Sequence, residues 1–398
     1  MVSVQEAFRI VQSVNAKLGV EEVDMLASVG RVLAESIHAD RDFPPFSRVA
    51  MDGIAIQADR FKAKGQVFLI ENVQAAGSPP LVLKDQNNCM EVMTGSVLPK
   101  NTNAVIRYED LEVEDNKAKI LIEKIEEGMN IHSQARDAKK GEALLKSGQK
   151  ISASEVALLV SVGKKSVRVL AFPKTAVVSS GDELVEVDEV PQPHQIRKSN
   201  TYALQAAMGE MGWKSDSFHL LDDKALVKKN LQTILERDDV LILSGGVSKG
   251  KFDFIPEALE ELGIQKLFHQ VSQRPGKPFW FGASADRSKI VFALPGNPVS
   301  TFLCFYKYIK PWIMNSCGVA NKPATARLAA DVDFSPSLTY FLQVRTELKD
   351  AILIAHPNAG GGSGDFANLK DIDGFLELPL EKSAFKAGEA YPFIGLNR

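Results

Sequence analysis

The chain has 398 residues, 45% hydrophobic and 24% charged, with 47 basic against 50 acidic side chains and a net charge of −3. That length predicts two to four domains of about 100–200 residues each, and the composition is that of an ordinary globular protein. The near-neutral balance, with no long Lys/Arg run, argues against a nucleic-acid partner, and no apolar run reaches the roughly 18 residues of a membrane span.

The opening "MVSVQEAFRIVQ" lacks the basic start and long apolar stretch of a signal peptide. Cys89, Cys304 and Cys317 are far apart and odd in number, which implies no disulfide framework and fits a reducing compartment. A cytoplasmic protein is the expectation. Ser3 to Glu6 reads as a capping box, and the apolar spacing that follows predicts a helix from about Val4 to Ala16. From Phe43 to about Gly148, short apolar stretches such as "QVFLIENV" and "AKILIEKI" alternate with Gly, Pro, Asn and Asp, a strand-and-turn texture. A helix returns at "ISASEVALLVSVG", where Ser152 or Ser154 caps it and Gly163 ends it.

From Pro173 to Trp312, three units share one plan, in "KTAVVSSGDELV", "DDVLILSGGVSKGKFDFIPEALEEL" and "SKIVFALPGNPVSTFLCFYKYIKPWI". Each has an apolar strand running into a Gly-containing turn, with helical segments in alternation. Such alternation implies a mostly parallel sheet with crossover helices, whose ligands bind beyond the carboxyl ends of the strands. After Gly318, "RLAADVDF", "TYFLQVRTEL", "AILIAHP", "GFLELPL" and "AYPFIGL" predict a small all-β domain.

The predicted turns carry Asp182 and Glu183, Asp222 and Asp223, Gly245, Gly246, Ser248, Lys249 and Asp253, Arg274 and Lys277, and Asn297 and Ser300. Backbone N–H groups of Gly-rich turns and helix N-termini bind phosphate, and Lys and Arg add charge-assisted contacts. Carboxylates there would repel a phosphate unless Mg²⁺ bridges them, so the mixture points to a Mg-dependent phosphate or pyrophosphate site. Each residue also has an ordinary use: Asp222 as a helix cap, Pro295 and Pro298 as turn shapers, Lys277 as a solvated charge. Asp52-Gly53 and Thr94-Gly95 read as simple turns, and "GGGSGDFANL", Gly360 to Leu369, reads by itself as a mobile hairpin loop. The Walker A and GxGxxG patterns are absent, and six scattered His with no HxxxH or CxxC pair offer no soft-metal site.

Seven segments, "AMDGIAI", "MTGSVLPKNTNAVI", "SSGDEL", "KSNTYAL", "LILSGGVSKGKFDF", "PGKPFWFG" and "LPGNPVS", together resemble the MoeA family, the molybdopterin molybdenumtransferases related to the gephyrin E domain. The resemblance implies a multidomain α/β plus β fold. It places an N-terminal helix at 1–20 packing on the α/β domain, a connecting domain at 21–42 and 142–171, a β-rich domain at 43–141, a MogA/MoaB-like three-layer α/β domain at 172–318 and a C-terminal β-barrel at 319–398. It implies a homodimer with the site in a cleft between subunits, and a MogA-like adenylyltransferase as a further partner. The implied reaction inserts molybdenum from molybdate into adenylylated molybdopterin, with Mg²⁺-dependent release of AMP. Glu183, Asp222 and Asp253 would hold Mg²⁺, and Asp52 and Thr94 would join them from the partner's side. Gly245, Gly246, Ser248, Arg274, Lys277, Pro295, Asn297, Pro298, Asp137 and Ser363 would contact substrate.

The chain departs from the family pattern at five positions: Val49 where Ser is usual, Ile54 for an aromatic, His132 for Arg, Arg136 within a Gly-Glu-Asp triplet, and Gln343 for a basic residue. Two rival readings follow, a divergent paralogue that carries molybdopterin or its nucleotide without turnover, and a scaffold that uses the fold for assembly. AMP release separates the enzyme from both.

Overall fold

The computed structural model describes residues 1–247, 254–320 and 323–396. The chain forms two compact units, a larger one from Met1–Ala34, Gly148–Ser152 and Ser166–Arg398, and a smaller one from Glu35–Ser147 and Ala153–Lys165. The expected sites at Ser248 and Asp253 lie outside the described residues.

Helix α1 (Val4–Gln12) starts where Ser3 accepts the Glu6 N–H at 3.1 Å. It ends four residues earlier than its apolar spacing predicts, for a tertiary reason. The Val14 carbonyl accepts the Trp312 indole N–H, and the Ala16 N–H donates to Ser316 Oγ at 3.1 Å, so this backbone is bonded elsewhere. Val4, Ala7 and Val11 share the buried face of α1.

The smaller unit holds a six-stranded sheet of β1 (Gly53–Ile56), β2 (Val67–Gln74), β3 (Cys89–Val92), β4 (Ala104–Arg107), β5 (Leu111–Glu114) and β6 (Lys117–Ile120), in the order β4-β1-β3-β2-β6-β5. Only β2 and β3 pair in parallel. Asp115 and Asn116, both at positive φ, make the two-residue turn that joins β5 to β6. Ile54, Ile56, Phe68, Ile106 and Ile120 form its core. Ile54 is fully buried there, so its aliphatic side chain fills core space. Helix α2 (Ala153–Ser161) belongs to the same unit.

The larger unit is built on a second six-stranded sheet: β7 (Thr175–Ser180), β8 (Asp216–Leu220), β9 (Val240–Ser244), β10 (Gln265–His269), β11 (Trp280–Ala283) and β12 (Ile290–Leu294), ordered β8-β7-β9-β12-β11-β10. The first four are parallel, and β11 runs antiparallel to both neighbours. Strands β7, β9 and β12 are buried along their whole length, because helices cover both faces. Alternate residues then serve opposite layers. Val177 and Ile242 pack with α1, α3 (Ser199–Gly209), α6 (Pro298–Cys304) and α7 (Lys310–Ser316), whereas Val178 and Leu243 pack with α4 (Lys224–Arg237) and α5 (Ile255–Glu261). The result is a three-layer α/β sandwich.

Five C-terminal strands close into a barrel: β13 (Ala324–Leu328), β14 (Thr339–Lys349), β15 (Ile352–Pro357), β16 (Gly374–Leu378) and β17 (Ala390–Gly395). The ladder runs β14-β15-β13-β17-β16 and returns to β14, leaving no free edge among these five. A short strand at Gln273–Arg274 adds to β14 in parallel, pairing Gln273 with Thr339 and Arg274 with Tyr340. Where the chain leaves and rejoins the larger unit, the Gly148 N–H donates to the Leu33 carbonyl at 2.8 Å. No described helix is long and apolar enough to cross a membrane.

Candidate active site

In the larger unit, the parallel register sets four of the predicted turns side by side. Ser179 pairs with Ser244, Ser180 with Leu220, and Ser244 with Leu294, so β7, β8, β9 and β12 end on one edge. The turn bearing Asp182 and Glu183 follows β7, Asp222 follows β8, Gly245-Gly246 follows β9, and Pro295 to Pro298 follows β12. Because β11 runs the other way and Trp280 pairs with Ala293, Lys277 also arrives at this edge. Arg274, three residues earlier, is carried by the short strand on the barrel.

The backbone at Gly245 has φ +101°, and a Cβ there would lie 2.9 Å from the Ser180 carbonyl. Its N–H donates to the Leu294 carbonyl at 3.1 Å, so the glycine draws the turns after β7 and β12 together. Asp222 is half-buried. Its Oδ1 accepts the Ser180 hydroxyl at 3.3 Å, and its N–H donates to Asp182 Oδ1 at 3.0 Å. The cap of α4 is its neighbour Asp223, which accepts the Leu226 N–H at 2.9 Å. Asp222 therefore does not serve as the cap. Glu183 is exposed beside the same turn. Among the described residues, no three His, Cys, Asp or Glu side chains converge into a metal site.

Two residues that sequence reasoning passed over organise this edge. Asn200, in the first turn of α3, donates its amide to the Gly296 carbonyl at 2.7 Å and to Ser244 Oγ at 2.9 Å, tying α3 to the turns after β9 and β12. It also lines a cavity of about 50 Å³ with Pro298, Thr301, Phe302 and Leu369. The signal was its place in "KSNTYAL". His219 meets Ser179 Oγ through Nδ1 at 2.9 Å, and burial pulls its imidazole below the ordinary value, which favours the neutral form.

The glycine-rich segment after β15, expected from its composition to be a mobile hairpin loop, is hydrogen-bonded to its surroundings at several points. Ser363 Oγ accepts the Asn297 amide at 2.9 Å, and its carbonyl accepts the Val299 N–H at 3.1 Å, at the start of α6. Gln343 holds the base of the loop: Nε2 donates to the Ala359 carbonyl at 2.9 Å, and Oε1 accepts from Asn368 at 3.3 Å. The buried neutral amide of Gln343 is thus committed at both ends.

In the smaller unit, Asp52 accepts the Thr94 N–H at 2.6 Å. That backbone bond, and then the Thr94 hydroxyl, hold the Asp52 carboxyl below the usual carboxylate range. Val49 is 1% exposed; its carbonyl accepts the Gly95 N–H at 2.9 Å and its N–H donates to Ser96 at 3.0 Å. Its backbone bonds hold the turn without a side-chain hydroxyl at this position. His132 pairs with Arg48 across two short strands, with Nδ1 3.3 Å from Arg48 Nη2. Arg136 and Asp137 are exposed, and the Asp137 N–H is bonded to the Phe43 carbonyl at 2.8 Å.

Comparison with known proteins follows this layout. Residues 2–163 match the family described as MoeA N-terminal region (domain I and II), residues 176–315 match "Probable molybdopterin binding domain", and residues 325–396 match MoeA C-terminal region (domain IV). A molybdopterin molybdenumtransferase from Synechocystis sp. is 40% identical over 396 residues, spanning 99% of both chains. The chain belongs to the MoeA family. One from Staphylococcus epidermidis is 29% identical over 99% of this chain and 95% of its own. The solved structure of a molybdopterin biosynthesis MoeA protein from Pyrococcus horikosii superposes with a TM-score of 0.82 at 31% identity, covering all of both chains. The multidomain MoeA architecture, with its MogA/MoaB-like α/β domain and C-terminal barrel, is thus the architecture of this chain.

Proposed function

We propose that the chain acts in molybdenum cofactor biosynthesis as a molybdopterin molybdenumtransferase, and that the carboxyl edge of the parallel sheet is its working surface. The convergence of the turns after β7, β8, β9 and β12 supports this reading most, in a chain so similar throughout to proteins of that name.

In this reading the substrate is adenylylated molybdopterin, whose phosphates lie against Gly245 and Gly246, and molybdate is the second substrate. Glu183 and Asp222, with Asp253, offer only oxygen donors, which suits a hard cation such as Mg²⁺. When bound, that ion would offset charge on the phosphate as AMP leaves. Arg274 and Lys277 bring cations to the same anions. Pro295, Asn297, Pro298 and Ser363 shape the pocket wall. The protein would act as a homodimer, with Asp52, Thr94 and Asp137 supplied by the partner subunit, and a MogA-like adenylyltransferase would supply the substrate.

AMP release from adenylylated molybdopterin by the purified chain, with and without molybdate and Mg²⁺, tests the reading. Release that needs both is the expected result. Tight binding of the nucleotide without release would replace the enzyme with a carrier.

A further inference from the structure

The loop that carries Arg274 and Lys277 rests on a buried polar pair. Gln273 and Tyr308 are both 0% exposed. The Tyr308 hydroxyl donates to Gln273 Oε1, and Gln273 Nε2 donates to the Gly276 carbonyl at 3.2 Å. Cys304 Sγ lies 3.7 Å from the same Nε2. Tyr308 belongs to a π-helical turn, Phe305–Ile309, between α6 and α7, a local form that recurs at functional sites.

This pair has one consistent orientation. Burial holds the Tyr308 phenol well above its ordinary pKa, so it stays protonated and can donate. Reversing the Gln273 amide would set its oxygen against the Gly276 carbonyl. The backbone closes over the pair tightly: at Gly276, φ is +91°, and a Cβ would fall 2.6 Å from Gln273 Nε2 and 3.1 Å from Cys304 Sγ. The loop base is fixed as well, since the Lys277 carbonyl accepts the Val271 N–H at 3.0 Å and the Phe279 N–H at 2.9 Å.

Arg274 and Lys277 flank Gly276 and are exposed, and neither pairs with a carboxylate among the described residues. Two like charges on one short loop repel, and free side chains would spread into water. A buried hydrogen-bonded pair is a high-stakes feature in a core and rigidifies whatever it holds. We propose that Gln273 and Tyr308 are positioning residues, which hold the Arg274–Lys277 loop so that its two cations present a preorganised cradle for a tetrahedral oxyanion, either molybdate or a phosphate of the nucleotide. This rests on the functional reading above and adds to it the residues that fix the cradle.

The test uses the full chain in four variants: Gln273→Met, Tyr308→Phe, the double variant Gln273→Met/Tyr308→Phe, and Lys277→Ala. Molybdate and AMP are titrated separately by calorimetry, and amide exchange is followed over residues 272–279. Each single positioning variant is expected to weaken one of the two anions by about tenfold or more and to speed exchange in the loop. The anion that weakens identifies the occupant. The double variant removes the Tyr308 hydroxyl that Gln273→Met alone leaves unsatisfied, while the Gly276 carbonyl lacks its donor in both, so it is expected to regain stability relative to Gln273→Met without regaining affinity. Affinity that returns with stability would reduce the pair to a structural role and overturn the proposal. Wild-type binding and exchange in the single variants, while Lys277→Ala binds poorly, would overturn the positioning role alone. Lys277→Ala binding both anions normally, or a wild-type chain that binds neither, would overturn the anion reading and the proposal with it.

Discussion

Asp52 and Thr94, 42 residues apart, are joined by a hydrogen bond of 2.6 Å from the Thr94 N–H to the Asp52 carboxylate. The bond stabilises the charged form, so the folded pKa is depressed. Its contribution to stability is present above the unfolded value and is lost as pH falls through the lower folded value. An NMR titration followed at the Thr94 amide should give a midpoint below the ordinary Asp value of about 3.9. A midpoint at or above it would contradict the geometry.

Asp52→Asn separates the turn from its charge. The Asn side-chain oxygen still accepts the Thr94 N–H, so the melting temperature should stay close to wild type. If the charge serves catalysis, AMP release should fall by about a hundredfold. Unchanged release would remove Asp52 from the reaction.

Asn200→Ala frees the Gly296 carbonyl and Ser244 Oγ from a shared donor. Gly296 is open to water and Ser244 Oγ keeps Thr301 Oγ1 at 3.4 Å, so the loss is that of ordinary hydrogen bonds, about 0.5–1.5 kcal/mol, and denaturant unfolding should shift to a slightly lower midpoint. Turnover should fall further than the stability loss explains, because the turns after β9 and β12 lose their common tie. An intact rate at a temperature where the variant is fully folded would make Asn200 a purely structural residue.

These residues show what the sequence could and could not reveal. Strands β7, β9 and β12 were legible because burial on both faces demands unbroken apolar runs, and their glycine turns stood out against them. The barrel strands were legible from turn spacing. The register that sets Ser180 beside Leu220 and Ser244 beside Leu294 is a tertiary fact, and so is the capture of Val14 by Trp312 that shortens α1. Neighbouring acids also defeat pattern reading, since only geometry distinguishes Asp223 as the cap from Asp222 at the edge. Buried amides such as Gln273 and Gln343 carry no periodic signal, and their roles appear only with their partners.

Gly245→Ala should be costly. It forces a side chain into φ +101° and against the Ser180 carbonyl, which should cost about 1–3 kcal/mol by strain alone. Equilibrium unfolding measures this directly, and a loss below about 0.5 kcal/mol, the ordinary range for an uninvolved surface position, would contradict the close approach.

The three cysteines should resist thiol reagents in the native state. Burial pushes Cys89 and Cys304 up to about 12 and Cys317 to about 11, so each remains a thiol at neutral pH. Labelling with a thiol-reactive dye should be negligible in buffer and complete in denaturant. Fast labelling of the folded chain would place at least one thiol at the surface.

The hydrogen bond between Gly148 and Leu33 has a consequence for the chain's history. The points at which the backbone departs from the larger unit and comes back are neighbours, one hydrogen bond apart. More than a hundred residues are therefore strung between two adjoining peptides, as a graft is set into a stem. The chain leaves the larger unit a second time for Ala153–Lys165, so exchanging the whole smaller unit takes two short splices and leaves the host's strand order unchanged. Recombination could therefore alter the grafted segment and leave the sheet edge with its glycine turns as it was.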